Sequence, residues 1–239
     1  MKHKIILWLI IVWVVGLDIS YFKLLKEEKG RNLVTHAYNG DLLAVKEDVE
    51  NGAPLDYMFA IQDETRQYDG TWFNALQAAA SGGNEDIINF LIDRGMNINT
   101  QTPEGWTPLF IAARDGQAEA ALLLIYREAD LNAQTNDGAT ALIMTLTQPF
   151  PTQKARMELL AYLVRRGADP NLADHAGLSP LYYAMVTEQP SAVEFLLEYD
   201  ANPATPLIAQ TLAQLETQDT PTAQKITALV KKQLAKLKK

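Results

Sequence analysis

Glu104-Gly105-Trp106-Thr107-Pro108-Leu109-Phe110-Ile111-Ala112-Ala113-Arg114-Asp115-Gly116-Gln117 is the stretch that decides how the rest of the chain reads. Thr before Pro marks a helix start: the hydroxyl can accept a backbone N–H, and Pro at the first helical position gives up a donor the helix does not use. The small pair Ala112-Ala113 lets a neighbouring helix approach closely, and Gly116 supplies a left-handed residue where the helix ends. Three other runs align with this one: Asn74-Ala75-Leu76-Gln77, Thr140-Ala141-Leu142-Ile143 and Ser179-Pro180-Leu181-Tyr182, with a weaker copy centred on Leu33. Leu76, Leu109 and Leu142 are each 33 residues apart. A fixed period of this size predicts a stack of small units, none of which can bury its apolar face alone.

The second half of each unit supports that reading. Ile87, Ile88, Leu91 and Ile92 fall on one helical stripe, as do Val193, Leu196 and Leu197. Turn segments then recur: Gly52-Ala53-Pro54-Leu55-Asp56, Gly95-Met96-Asn97-Ile98-Asn99, Ala129-Asp130-Leu131-Asn132 and Gly167-Ala168-Asp169-Pro170-Asn171. At these residues the chain resembles the ankyrin-repeat family, whose pattern runs D-G-x-T-P-L-H-x-A-A-x-x-G-H and closes on G-A-D-x-N. The resemblance implies an all-α solenoid of about five helix-turn-helix repeats with hairpin loops, over residues 31–203. Its units are 31–57, 69–102, 103–135, 136–174 and 175–203, followed by capping helices and a basic tail at 204–239. The latter helices are expected at Leu207 to Leu215 and Ala223 to Lys239, the second with an apolar stripe of Ile226, Leu229, Val230, Leu234 and Leu237.

Two features depart from the family pattern. The His of T-P-L-H is replaced by Gln77, Phe110, Ile143 and Tyr182, which removes a usual internal hydrogen bond and predicts looser repeats. Ten extra residues, around Met58 to Tyr68, lengthen the first hairpin, and six more at Gln148-Pro149-Phe150-Pro151-Thr152-Gln153 fall between two helices.

The N-terminal segment carries a different signal. Met1-Lys2-His3-Lys4 is followed by thirteen uncharged residues from Ile5 to Leu17. That pattern is either a cleaved export signal, with Val14-Val15-Gly16 as a tolerable cleavage region, or an uncleaved anchor. Ile5 to Phe22 as helix would span about 27 Å, close to a hydrocarbon core, with Asp18 and Ser20 near an interface and Trp8, Trp13 and Tyr21 along the span. Residues 1–22 are therefore expected to be a signal peptide or membrane anchor, and 23–30 a linker. Lys2 and Lys4 favour a cytoplasmic start, against the pull of Lys23, Lys26, Lys29 and Arg31. The expected location is a bacterial inner membrane with a periplasmic repeat domain, or the periplasm after cleavage. No N-x-S/T acceptor occurs, which suits a bacterial origin.

Charge is segregated. The net charge of −8 divides into +2 for residues 1–30, −16 for 31–220 and +6 for 221–239. The acidic body disfavours nucleic acid and favours a basic protein partner through steering and complementarity, although solubility alone also accounts for it. The lysine-rich tail is a capping helix with a solvated face, a contact with anionic lipid, or a self-contact on the acidic stack.

Catalytic chemistry finds no support. The absence of Cys excludes disulfides, thiol nucleophiles and Cys-based zinc sites. There is no G-x-S-x-G elbow, no phosphate-binding G-x-x-x-x-G-K loop and no H-E-x-x-H. His36 reads as a packed or half-exposed side chain and His175 as a surface turn residue beside Asp174. No catalytic, cofactor or metal residue is assigned, and a non-enzymatic monomer is expected.

What remains is binding, and the resemblance implies where. Ankyrin stacks recognise proteins through hairpin tips and the concave ends of their first helices. On this chain those positions are Phe73, Trp106, Ala139 and Leu178, with Trp72 alongside and Arg114 and Asp115 as polar partners. Large aromatics at exposed turns make interface hot spots; alternatively these pack beneath the enlarged hairpin. Asp63, Glu64, Arg66 and Tyr68 in that hairpin are either a ligand-contacting finger or a tolerated insertion. Envelope proteins of this type look like adaptors, scaffolds in stress protection, or immunity proteins covering the active site of an envelope-targeted toxin.

Overall fold

A computed structural model of the chain describes residues 2–60 and 72–237, with the backbone alone described for residues 2–20. Its twelve described helices are packed in sequence-adjacent pairs. The helices α1 (Lys2–Asn39) and α2 (Leu42–Glu50) form the first pair, and two short strands, β1 (Phe59–Ala60) and β2 (Trp72–Phe73), belong to the hairpin that follows. Next come α3 (Ala75–Gly82) with α4 (Glu85–Asp93), α5 (Pro108–Arg114) with α6 (Ala118–Tyr126), and α7 (Ala141–Thr147) with α8 (Gln153–Arg165). The pairs α9 (Pro180–Val186) with α10 (Pro190–Glu198), and α11 (Pro206–Glu216) with α12 (Pro221–Leu237), complete the stack. First helices pack on first helices, from α1 through α11, and second helices form a parallel outer row from α2 through α12.

Local chemistry starts each first helix where the sequence places it. Thr107 Oγ1 accepts from Phe110 N at 3.2 Å, Thr140 Oγ1 from Ile143 N at 3.3 Å and Ser179 Oγ from Tyr182 N at 3.3 Å. Asn74 does the same for Gln77 N at 3.0 Å, while Gln77 Oε1 accepts from Asn74 N at 2.9 Å, a reciprocal capping box. Gln77 also corrects the expectation of a lost hydrogen bond. It is buried, and its amide donates to Thr100 O at 3.2 Å and Trp106 O at 3.3 Å, tying its repeat to the following hairpin.

Amide side chains join the units. Asn84 Nδ2 donates to Ala37 O and Tyr38 O, Gln117 Nε2 to Ser81 O, and Gln189 Nε2 to Leu146 O, each reaching the end of the preceding first helix. Along the turns, Asn99, Asn132 and Asn171 accept from Asp130 N, Asp169 N and Asn202 N at 2.7–2.9 Å, one repeat onward. The core between the helix rows is fully buried at Leu33, Leu76, Leu109, Leu142 and Leu181, the leucines that set the period.

Three features differ from the sequence expectation. The fold is mostly helical, but β1 and β2 pair antiparallel, Phe59 opposite Phe73 and Ala60 opposite Trp72. Residues 23–30 are not a linker; they are helical, continuous with both the apolar run and the first repeat. Gly30 explains the join, because Tyr57 packs where a β-carbon would stand, and Arg31 lies over the Phe59 ring at 5.4 Å. The end of the segment that looked like a spacer thus meets the base of the first hairpin, while Lys23, Leu24, Lys26 and Glu28 stay exposed. Finally, Thr205-Pro206-Leu207-Ile208 caps α11 in the same way as its predecessors, with Thr205 Oγ1 accepting from Ile208 N at 3.2 Å. The two latter helices form a sixth pair of the same build.

Among the described residues no helix is long and apolar enough to cross a membrane. The uncharged run Ile5 to Leu17 lies where only the backbone is described.

The turn after each second helix needs a left-handed residue: Gly52, Gly95, Glu128, Gly167 and Asp200 have φ of 78°, 91°, 66°, 110° and 63°. A β-carbon at Gly52, Gly95 or Gly167 would meet nothing, so a side chain in this series costs only its backbone strain. Glu128→Gly should therefore stabilise the stack by about 1 kcal/mol, raising the calorimetric Tm by about 2–4 °C. An unchanged or lower Tm would count against strain at this turn.

Candidate protein-binding surface

The strand geometry of β2 separates two neighbouring aromatics, because successive side chains point to opposite faces. Trp72 is 50% exposed, whereas Phe73 is completely buried. Phe73 is therefore a packing residue, the alternative that the sequence left open, and Trp72 is the exposed member of the pair. Its ring lies 5.8 Å from the Arg114 guanidinium, at the end of α5.

Arg114 is the centre of a compact cluster. It stacks over the Trp106 ring at 4.4 Å, and Trp106 in turn stacks on Phe110 with centroids 5.8 Å apart. Arg114 Nε and Nη2 donate to the two Asp115 oxygens at 2.8 and 3.1 Å. Ser81 Oγ, from the preceding repeat, donates to Asp115 Oδ2 at 2.5 Å. The Arg114 and Asp115 side chains are only 16% and 11% exposed. The sequence placed them as polar contacts for a partner; the structure commits them to each other, because an arginine pinned between two aromatics and a bidentate carboxylate has spent its fork. Their contribution is to hold the Trp106 indole in place. Trp106 is half-buried.

Farther along the same side, Ala139 and Leu178 are half-buried, and α9 presents Tyr182, Tyr183 and the 44% exposed Val186. The two tyrosine rings meet edge to face at 5.7 Å, and Tyr183 OH donates to Asp174 Oδ2 at 2.6 Å. Sequence reasoning missed these tyrosines. The available signal was their place after Ser179-Pro180-Leu181, aligned with Gln77-Ala78 and Ile143-Met144. The loop Gln148 to Thr152 lies against Gly116, with Pro149 O and Pro151 near it, so this insertion packs under the preceding repeat. Asp63, Glu64, Arg66 and Tyr68 lie outside the described residues.

The histidines take structural places. His36 Nδ1 is 2.7 Å from Asp48 Oδ2, linking the first helix pair, and His175 is exposed, its backbone N–H donating to Asp137 O at the neighbouring hairpin tip. Among the described residues no group of three or more His, Asp or Glu is arranged to hold a metal ion. On the outer side, Leu122, Met157, Ala161 and Tyr162 with Lys154, Glu158 and Arg165 line a hollow of about 550 Å³ between α6 and α8.

These features define a helical-repeat solenoid whose inner side carries a strip of aromatics held by neighbouring repeats. A family model described as ankyrin repeats in three copies matches residues 33–135 and 123–206, most of the chain, and the chain belongs to the ankyrin-repeat family. It is 31% identical over 126 residues to a putative ankyrin repeat-containing protein of Treponema pallidum, covering 53% of this chain and 41% of the relative. It is 28% identical over 123 residues to the ankyrin repeat, SAM and basic leucine zipper domain-containing protein 1 of Dasypus novemcinctus, 52% of this chain and 25% of that protein. Protein glp-1 of Caenorhabditis elegans is 35% identical over 68 residues, 28% of this chain and 5% of the relative. The chain thus spans less than half of each relative. Ankyrin-repeat proteins are generally non-enzymatic modules that bind other proteins.

Burial, the hydrogen bond to Asp174 and the charge of that carboxylate push the Tyr183 hydroxyl up to about 12. Below pH 10 the folded and unfolded states both keep this proton, so the group makes stability independent of pH. Above pH 10 the unfolded chain ionises first, and stability falls as pH rises towards 12. Tyr183→Phe should flatten that alkaline loss, read as denaturant midpoint against pH between 9 and about 12. An identical slope in the variant would show that Asp174 does not hold the phenol.

Proposed function

We propose that this chain binds a basic protein segment along the aromatic strip and holds it near a membrane through its N-terminal segment. The supporting observation is where the cations stand. From Ala53 to Thr205 the described Lys and Arg side chains belong to second helices or their C-caps, namely Arg94, Arg127, Lys154, Arg156, Arg165 and Arg166. Arg114 is the exception, and it is paired with Asp115. The hairpins and turns carry Asp56, Glu104, Asp130, Asp137, Asp169 and Asp174 instead. An acidic rim beside Trp72, Trp106 and Tyr182 suits a cationic ligand with an apolar anchor: the aromatics supply affinity and the rim supplies on-rate and selectivity. The uncharged run Ile5 to Leu17 motivates the membrane part of the reading.

Within this reading the partner is an enzyme that the stack blocks, as in toxin immunity, or an envelope component that it scaffolds. Purification of the tagged full-length protein from bacterial membranes, followed by mass spectrometry, separates these. One basic enzyme recovered in equal amount supports inhibition. A broad set of envelope proteins supports scaffolding, and recovery of acidic partners alone removes the charge argument.

Trp72→Ala tests the surface most cleanly, because the side chain is half outside the fold. Affinity for the recovered partner, measured by calorimetry, should fall at least tenfold, about 1.4 kcal/mol, with Tm unchanged. Trp106→Ala should lower both affinity and Tm, since it also strips Arg114 and Phe110 of a stacking partner. Wild-type affinity in both variants would place the interface elsewhere.

A further inference from the structure

The parity of the repeats places two unlike ends of the stack on one edge. A first helix runs from the hairpin edge to the opposite edge, and a second helix runs back. The helix α1 enters the stack as the first helix of its pair, so its upstream part leaves from the hairpin edge. The helix α12 is the second of its pair and packs beside α10 and α11. Its register is set by Gln233 Nε2, which donates to Leu197 O at 3.3 Å, near the end of α10 where the chain turns out towards a hairpin. At 17 residues α12 is longer than the nine of α10, and it reaches that edge at Lys236 and Leu237. Leu237 is 60% exposed, and Lys238 and Lys239 follow in sequence.

Both ends carry the same chemistry. On α1, just outside the stack, Tyr21, Phe22 and Leu24 are 62%, 66% and 65% exposed, interleaved with Lys23 and Lys26. Beyond them in sequence lies the uncharged run. On α12, Lys225, Lys231, Lys232 and Lys236 are exposed on a helix without an acid. Lys231 pairs with Glu216 of α11 at 2.8 Å, while Lys232 and Lys236 line a hollow of about 300 Å³ with Glu194, Glu198 and Asp200 of the α10 end.

We propose that the lysine-rich end of α12 is a second membrane contact, binding anionic lipid headgroups of the bilayer that holds the N-terminal segment. This rests on the tethered reading above. Attraction of clustered lysines to an anionic leaflet acts only within about a Debye length of the surface. It therefore requires that α12 end on the edge from which the N-terminal segment departs, and the repeat parity provides this. The stack would then be held at both ends and not swing from one, with the acidic hairpins between them, repelled by the leaflet, standing clear of it and open to a partner. An acidic body is repelled by the same leaflet, so the cations are needed where the stack approaches it.

The chain contains no Cys, so single-cysteine probes can be placed in the full-length protein. Ser20→Cys and Ala235→Cys, each carrying a fluorophore, are reconstituted in phosphatidylcholine vesicles with or without phosphatidylglycerol, using headgroup spin-labelled lipid as quencher. The Ser20 probe should be quenched in both vesicles. The Ala235 probe should be quenched about twofold more with phosphatidylglycerol, and that difference should vanish in Lys232→Gln/Lys236→Gln and in high salt. Equal Ala235 quenching in both lipids, with Ser20 quenched, overturns the second contact and leaves the tether. Sensitivity to the lysines without sensitivity to lipid charge also overturns it, in favour of a self-contact with Glu194 and Glu198. An unquenched Ser20 probe overturns the tether and this proposal together. Circular dichroism of each variant confirms that the helices are intact.

Discussion

Among the described residues, the first helices α1, α3 and α7 each leave a carbonyl to be met by the repeat that follows. The last carbonyls of a first helix have no partner within the helix, and here they are met by an amide from the following repeat: Asn84 to Ala37 and Tyr38, Gln117 to Ser81, Gln189 to Leu146. The turns are linked likewise through Asn99, Asn132 and Asn171. Each unit completes its neighbour, so a fragment that ends within the stack strands polar groups at a cut face, at about 1–3 kcal/mol for each that is buried. That constraint couples the repeats and lets them tolerate change elsewhere.

The same coupling builds the candidate surface. Trp106 is presented by one repeat, steadied by Arg114 and Asp115 of its own helix, and braced by Ser81 from the repeat before. An aromatic held this way loses little rotamer freedom when it binds, so more of its contact energy appears as affinity.

What was legible in the sequence follows from the range over which each signal acts. Helix caps, left-handed turns and the leucine period are local or strictly repeated, and Thr107, Gly116 and Leu109 declared them. The last two helices read as caps rather than as a sixth pair because Leu207 falls 26 residues after Leu181 and not 33, the intervening hairpin being shorter, although Thr205-Pro206-Leu207 carries the helix start of the other repeats. The linker at 23–30 was misread because a charged stretch containing Gly30 looks like a break. It is helix continuous with α1, and only its end meets the first hairpin, Gly30 against Tyr57 with Arg31 over Phe59, while Lys23, Leu24, Lys26 and Glu28 stay exposed. Phe73 and Trp72 differ by one place in sequence and by a full face in the structure, since a two-residue strand replaced the turn expected there.

Charge needs the same separation of local from global causes. Arg94, Arg127 and Arg166 stand at C-caps, where the helix dipole favours a cation. Asp130 and Asp169 accept from Asn132 N and Asn171 N two residues on, shaping their own turns. Asp174 is held by Tyr183 and by Leu178 N. The fold thus accounts for part of the contrast between an outer row of mixed charge, where most of the cations stand, and acidic hairpins. It does not account for Asp137, exposed at a hairpin tip, nor for Glu104, whose Oε2 is buried without a hydrogen-bond partner beside Trp106 in sequence. A buried carboxylate oxygen left unpaired costs stability that neither turn geometry nor packing returns. The residues that the architecture leaves unexplained, Trp72, Glu104 and Asp137, all belong to the hairpins, where the cations and apolar side chains of the proposed partner would have something to complete.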